Sequence, residues 1–373
     1  MKKILFFTPY GGRTGSEMLL WNIINNMDSS KFQAAVYSEK AGVLKDTLPP
    51  HIPFYTNPFN TTGAKKIALK MLNGFNYPVY EKYILAIHQE FKPDYWYLNT
   101  NATAHIAKIA KKAGVKVIAH ICEMPYILYE TVTKDDMAEM MEADLVIGLS
   151  EVGCRAVEIL GAKTVKKLYP SIDFGAIKPN LENTKAIRKQ LNIPDDAFVW
   201  VMSGSFNYRK GVDYLPQLIR LMREKKKKCF FVWLGGGSHV ALEYYVKKEL
   251  EYYGLDADIV IMKSLSDDYY DYMALADAFL LLSHEETFGM VNLEAAYLGK
   301  PILTFDCGGV SDIMLDGMGK IVKSWNVTDF ADAMVDMMEG KIPFDATIAR
   351  NRALEFDAKT LYIEWESIMD GMD

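Results

Sequence analysis

Residues 278–312 read AFLLLSHEETFGMVNLEAAYLGKPILTFDCGGVSD. The apolar run 279–282 is the right length for a buried strand. A polar loop, Ser283-His284-Glu285-Glu286-Thr287, follows it, and Phe288-Gly289 leads into a helical pattern. Gly299 just past that helix and Pro301 just beyond it are stop signals. Residues 302–305 then start another strand. Strand, helix and strand in this order make a βαβ unit, whose two strands run parallel.

The same rhythm extends outward on both sides. Strands are expected at 198–203, 230–234 and 259–262, joined by helices that begin near Val212, Val240, Asp268 and Val291. Upstream, apolar runs at 4–8, 34–37, 95–98, 115–119, 145–148 and 165–168 alternate with helical patterns at 17–27, 64–91, 104–112 and 152–160. The rhythm restarts after Tyr169-Pro170. The reading is an α/β chain of two doubly wound, Rossmann-like parallel sheets: residues 1–170, then residues 171–355. A final helix at about 356–373, anchored by Phe356, Tyr362 and Trp365, is expected to pack back on the first domain. Ligands of open α/β sheets sit at the carboxyl ends of strands, so a cleft shared by the two sheets is the expected site.

Two stretches carry chemistry. At the start of the helix near Gly289, Met290 and Val291, free N–H groups and the helix dipole favour a phosphate. Glu294, one turn further in, can accept hydrogen bonds from the two neighbouring hydroxyls of a ribose, and Glu286 precedes the helix. The second stretch, Ser203-Gly204-Ser205-Phe206-Asn207-Tyr208-Arg209-Lys210-Gly211, follows a strand and opens a helix. Breaking a sugar–phosphate bond leaves a diphosphate with added negative charge, which fixed cations such as Arg209 and Lys210 stabilise.

Glu286-x7-Glu294 after a strand, with Phe288-Gly289 inside it, resembles the retaining glycosyltransferases of family 4. So do Ala276-Asp277, Gly299-Lys300-Pro301, Gly308-Gly309-Val310-Ser311-Asp312 and the pair Gly317 and Gly319; Asp312 stands where the family usually has Glu. The resemblance implies the GT-B architecture, with two Rossmann-like domains facing a central cleft. It implies transfer of a hexose-type sugar from a nucleoside diphosphate, with retention at the anomeric carbon, in glycan or glycolipid assembly. Lys210 inherits the role of pyrophosphate ligand. Many relatives have Arg directly after the first glycine; that place is Ser205 here, and Arg209 stands in for it. Met262-Lys263-Ser264-Leu265 matches the strand end that holds the nucleobase, which brings Lys263 and Leu265 into the donor site with Gly204 and Phe288.

The first half resembles the family more loosely. Gly11-Gly12, then Gly15-Ser16-Glu17 opening a helix, match the glycine loop near the donor phosphates. The family places a histidine, often followed by an acidic residue, beside the transferred sugar at the strand end 117–123. Aligning Glu123 with the acidic residue puts Cys122 in the histidine slot, whereas His120 lies two residues earlier on the same strand face. His120 is preferred to Cys122, and both stay open.

No metal is expected, because the helix dipole and the two cations serve the diphosphate. Asp256-Ala257-Asp258 has the spacing of a metal-binding DxD but reads as a turn. The expected co-substrate is a nucleotide sugar, UDP before GDP or ADP, and no cofactor is called for. A sugar, a lipid-linked molecule or another small molecule would accept the sugar. Two other readings fit the fold: a non-catalytic nucleotide-sugar-binding subunit, and a nucleotide-sugar epimerase or phosphorylase.

The 373 residues have a net charge of −6, and no basic stripe is interleaved with aromatics, which argues against nucleic acid. The first 170 residues carry 20 Lys and Arg against 16 Asp and Glu, a balance of +4, while the remaining 203 stand at −10. A basic first half suits an anionic partner, a phosphate-bearing acceptor or a membrane surface. Residues 65–91 mix lysines with Met71, Leu72, Phe75, Tyr77, Tyr80, Tyr83 and Ile84. They read as an amphipathic core helix pair, or as a peripheral membrane face that receives a lipid-linked acceptor. Pro9 and the glycines after it cut the opening apolar run too short for a signal peptide. Four scattered cysteines suit a reducing compartment. The expectation is a cytoplasmic protein, at the inner face of the membrane if the basic half meets lipid.

Overall fold

The computed structural model describes residues 1–12, 15–75, 77–236, 240–262 and 268–372. The chain forms two compact units, Met1–Ser171 with Ala358–Asp373, and Ile172–Asp357.

The first unit holds seven strands: β1 (Lys2–Tyr10), β2 (Phe32–Lys40), β3 (Phe54–Thr56), β4 (Tyr95–Asn99), β5 (Lys116–Ile121), β6 (Leu145–Gly148) and β7 (Val165–Lys167). They pair in the order β3-β2-β1-β4-β5-β6-β7, all parallel. Both faces are covered, which is why the strands are nearly continuous apolar runs. On one face Leu5, Phe7, Tyr37, Trp96 and Leu98 pack against Ile84, Ile87 and Phe91 of the helix Val79–Phe91. On the other, Ile4, Phe6, Val36 and Tyr97 meet Leu20, Trp21 and Ile24 of the helix Gly15–Asn26. The last helix, Ala358–Asp370, adds Trp365 and Met369 to that second face.

The second unit holds β8 (Phe198–Ser203), β9 (Cys229–Leu234), β10 (Ile259–Met262), β11 (Ala278–Leu281), β12 (Ile302–Phe305) and β13 (Gly319–Val322), in the order β10-β9-β8-β11-β12-β13. Every pairing is parallel. The strand order reverses between β8 and β11, and between β1 and β4 in the first unit. The carboxyl ends of strands at such a reversal are where open sheets bind ligands.

The helical run expected over 64–91 is two helices, Gly63–Gly74 and Val79–Phe91, parted at Pro78, which has no N–H to donate. The expected closing helix starts at Ala358. Residues 356–357 instead follow a separate helix, Ala346–Leu354, and belong to the second unit. No helix among the described residues is long and apolar enough to cross a membrane.

Candidate functional site

Two turns meet at the reversal between β8 and β11. After β8 the chain passes Gly204 and forms a single 3-10 turn, Tyr208–Lys210, whose start Asn207 caps by accepting a hydrogen bond from the Lys210 N–H at 3.1 Å. Gly211 ends it in the left-handed region, φ +74°, and a Cβ there would lie 2.0 Å from the Leu282 carbonyl oxygen. Only glycine lets this turn lie directly on the end of β11. After β11 the loop is pinned through Glu286, whose N–H donates to the Cys307 carbonyl at 2.7 Å and whose carbonyl accepts from Gly309 at 2.9 Å. His284 joins the two turns. Its N–H donates to the Arg209 carbonyl at 2.8 Å, and its ring lies 3.0 Å from Asp213 and 3.1 Å from the Tyr214 hydroxyl. Gly289, φ +90°, then opens the helix Met290–Tyr297 with no side-chain cap. The first N–H groups of that helix have no intrahelical acceptor.

Glu286 is buried, and its Oε2 accepts from Lys210 Nζ and, at 3.2 Å, from the Ser283 hydroxyl. Arg209 Nη1 stands 3.8 Å from Oε1 and donates to the Glu285 carbonyl at 3.2 Å. Desolvation pushes the Glu286 carboxyl up, but the Lys210 and Arg209 charges outweigh it, so its pKa lies below the ordinary value. The carboxylate therefore stays ionised and holds two cations beside the glycine-capped helix start.

Glu294 lies one turn along that helix, partly buried. Its Oε2 accepts from the Tyr269 hydroxyl at 2.9 Å and its Oε1 from the Tyr270 hydroxyl at 3.3 Å. Tyr269 also meets the Ser203 hydroxyl, at the end of β8, at 2.8 Å. Desolvation pushes the Glu294 carboxyl up to about 7, against the opposing pull of the two tyrosines. Ser203, Tyr269, Tyr270, Ser283 and His284 were given no role in the sequence reading. The tyrosine pair beside an acidic helix start was the one visible signal.

The sequence-predicted residues thus divide. Lys210, Arg209, Glu286, Gly289, Met290, Val291 and Glu294 gather at one reversal point with Gly204, whose Cβ position is 3.3 Å from the Lys210 side chain. Phe288 is buried, and its ring packs against Phe356, with centroids 5.3 Å apart. Lys263 and Leu265 lie outside the described residues. Asp258 of the DxD-like turn receives the Arg223 guanidinium. Among the described residues no three His, Cys, Asp or Glu side chains gather as a metal site requires.

In the first unit, Gly12 is buried after β1, and the Gly11 carbonyl accepts from Leu44 at 3.0 Å. His120 alternates to the face of Ile118 and is 0 % exposed. Its Nδ1 sits 2.7 Å from the Tyr97 hydroxyl, and desolvation pushes its pKa down to about 3. A neutral imidazole sealed in the core has no surface to offer a sugar, which corrects the preference for His120. Cys122 is partly buried at the strand end, beside Glu123, which accepts from the Cys122 and Asn101 N–H groups at 3.1 Å each. Asn99, Thr100 and buried Glu17 complete a polar group at the ends of β1, β4 and β5. Thr100 holds φ +67°. That conformation is strained for a β-branched residue, and such strain clusters at functional sites.

Residues 183–353, within the second unit, match the family described as glycosyl transferases group 1. D-inositol 3-phosphate glycosyltransferase 2 of Catenulispora acidiphila is 26% identical over 206 residues, 52% of this chain and 48% of that protein. The lipopolysaccharide 1,2-N-acetylglucosaminetransferase of Salmonella typhimurium is 31% identical over 140 residues, 35% of this chain and 36% of that protein. The chain thus spans half or less of the length of these curated relatives. In fold it is similar to Anabaena HepE, solved in complex with UDP and glucose, with a TM-score of 0.81 at 21% identity over 100% of both chains. Two Rossmann-like domains of this kind are the GT-B fold.

Proposed function

We propose that the chain is a retaining, metal-independent glycosyltransferase that moves a hexose from a nucleoside diphosphate, UDP before GDP or ADP, onto a hydroxyl acceptor. One observation carries the reading: Lys210 and Arg209, both part-exposed, meet on buried Glu286 beside a glycine-capped helix start at a sheet reversal. The group 1 match over residues 183–353 supports it, and so does the UDP bound by the HepE structure.

In this reading the diphosphate lies on the N–H groups of Met290 and Val291, and Lys210 and Arg209 turn toward it from Glu286. As the bond between the anomeric carbon and the β-phosphate oxygen breaks, that oxygen gains charge, which the two cations stabilise. The acceptor oxygen bonds to the anomeric carbon, and its proton passes to the departing phosphate. Glu294 accepts from the ribose hydroxyls while Tyr269 and Tyr270 hold its carboxylate in place. Glu286 accepts from sugar hydroxyls. The polar ends of β1, β4 and β5 hold a hydroxyl-rich acceptor, with Cys122, in place of His120, nearest the strand end.

Incubation with UDP-, GDP- and ADP-hexoses, followed by assay of released nucleoside diphosphate and NMR of the product, tests the reading. The expected result is diphosphate release from a UDP-hexose and a product with the donor's anomeric configuration. Inversion contradicts retention, and tight binding without turnover leaves a non-catalytic binding subunit.

A further inference from the structure

The helix Gly63–Gly74, between β3 and β4, buries none of its side chains. Its neighbour Val79–Phe91 buries Val79, Ile84, Ile87 and Phe91. The apolar residues of the first helix therefore do not serve the core. Ala64, Ile67, Ala68, Met71 and Leu72 fall on one arc of about 140°, and Phe75 continues it at the helix end. Ile67 is 61% exposed, Met71 62% and Phe75 84%. Lys65 and Lys70 border the arc on its two sides, and Lys66 lies opposite. No Asp or Glu occurs from residue 47 to residue 80. Tyr77, also exposed, follows with the Lys82 ammonium 4.0 Å from its ring centroid.

A contiguous exposed apolar stripe bordered by lysines is a candidate contact surface. A second protein copy fits poorly. At 1.5 Å per residue the stripe is about 18 Å long and covers roughly 200 Å², against about 800 Å² per partner in a stable interface. A lipid surface has no such size requirement. It takes apolar side chains at the acyl boundary, lysine stems that reach outward to headgroups, and aromatic rings between the two.

We propose that the helix Gly63–Gly74 docks this chain on an anionic bilayer. It lies in the surface plane, with Ile67, Met71, Leu72 and Phe75 below the headgroups and Lys65 and Lys70 on their phosphates. The proposal stands apart from the transferase reading, because none of these residues belongs to the nucleotide site.

Sedimentation of the full chain with lipid vesicles tests it. The chain is expected to partition onto phosphatidylglycerol–phosphatidylcholine vesicles at low salt, and far less onto phosphatidylcholine alone. The triple change Ile67→Ser, Met71→Ser, Phe75→Ser should weaken that binding at least about tenfold. Lys65→Gln and Lys70→Gln should weaken it about fivefold each, and Lys66→Gln, on the side away from the bilayer, by less. All six positions are exposed, so the variants are expected to keep the wild-type thermal midpoint and UDP affinity, which separates docking from folding and from the nucleotide site. Three results would overturn the proposal. They are no preference of the wild type for anionic vesicles, undiminished binding of the triple serine variant, and a lipid-free dimer that this variant dissociates.

Discussion

Glu294 has a carboxyl pushed up to about 7, so it changes charge close to neutral pH. Its folded pKa lies above the ordinary value near 4.3. The native state therefore holds the proton more tightly, and stability falls as pH rises from about 4 to 7, then levels off. Ligand binding runs the other way, because the ionised carboxylate is the better acceptor for two ribose hydroxyls. We expect UDP affinity, followed by calorimetry, to rise between about pH 6 and 8 and then plateau. Glu294→Gln should abolish that rise except for the part due to the terminal phosphate, which titrates near 6; an identical profile in the variant would remove Glu294 from the ribose. Lys210→Ala takes one cation from the diphosphate and leaves buried Glu286 with Arg209 alone. Transfer should drop about 10²–10³-fold. Stability at pH 7 should fall by roughly 3 kcal/mol, as when one partner of a buried pair is removed. That loss should shrink as pH falls through the Glu286 pKa, because a carboxyl held low by its cations contributes stability only above that range. The charged residues of this site were legible in the sequence because each of their two loops follows an apolar strand run and opens a helix. His120 misled because strand alternation tells which residues share a face, and in a sheet covered on both faces neither face is open to a ligand away from the strand ends.

The elements joining at the site depend on glycines whose reason is steric. Gly211 carries φ +74° and has the Leu282 carbonyl in the space of a Cβ, whereas Gly254 carries φ +63° with nothing within 4 Å. Gly254→Ala should therefore cost about 1 kcal/mol of backbone strain. Gly211→Ala should cost at least about 3 kcal/mol in urea unfolding, from strain plus displacement of β11 from the Lys210 turn. Equal losses would mean that the close approach is not real. Most central strands could be read from their apolar runs. The edge strands β3 and β13 were not read as strands; their parallel pairing with β2 and β12 is what defines them. Pro78 shows the same limit in a helix: periodicity continues across it, and the missing N–H ends the helix all the same.

At the scale of the chain, two sheets of the same winding were legible because the strand–helix alternation stops and restarts. The return of the last helix to the first sheet was legible from its aromatic anchors, of which Trp365 is fully buried against Phe32, with ring centroids 5.2 Å apart. Its starting point was not, since the helix Ala346–Leu354 runs close before it. Trp365→Ala should destabilise the first unit by about 3–5 kcal/mol. Each unit has its own core, so the variant should still bind UDP with wild-type affinity below its own melting temperature. Loss of UDP binding together with the first unit would show that the nucleotide site is not carried by the second unit. The most direct test of the whole account is diffraction from crystals of the full chain soaked with UDP. The account predicts diphosphate density within hydrogen-bond distance of the Met290 and Val291 N–H groups and of Lys210, with the ribose hydroxyls on Glu294. Density for UDP anywhere else, with the Lys210–Glu286 pair undisturbed, would contradict it.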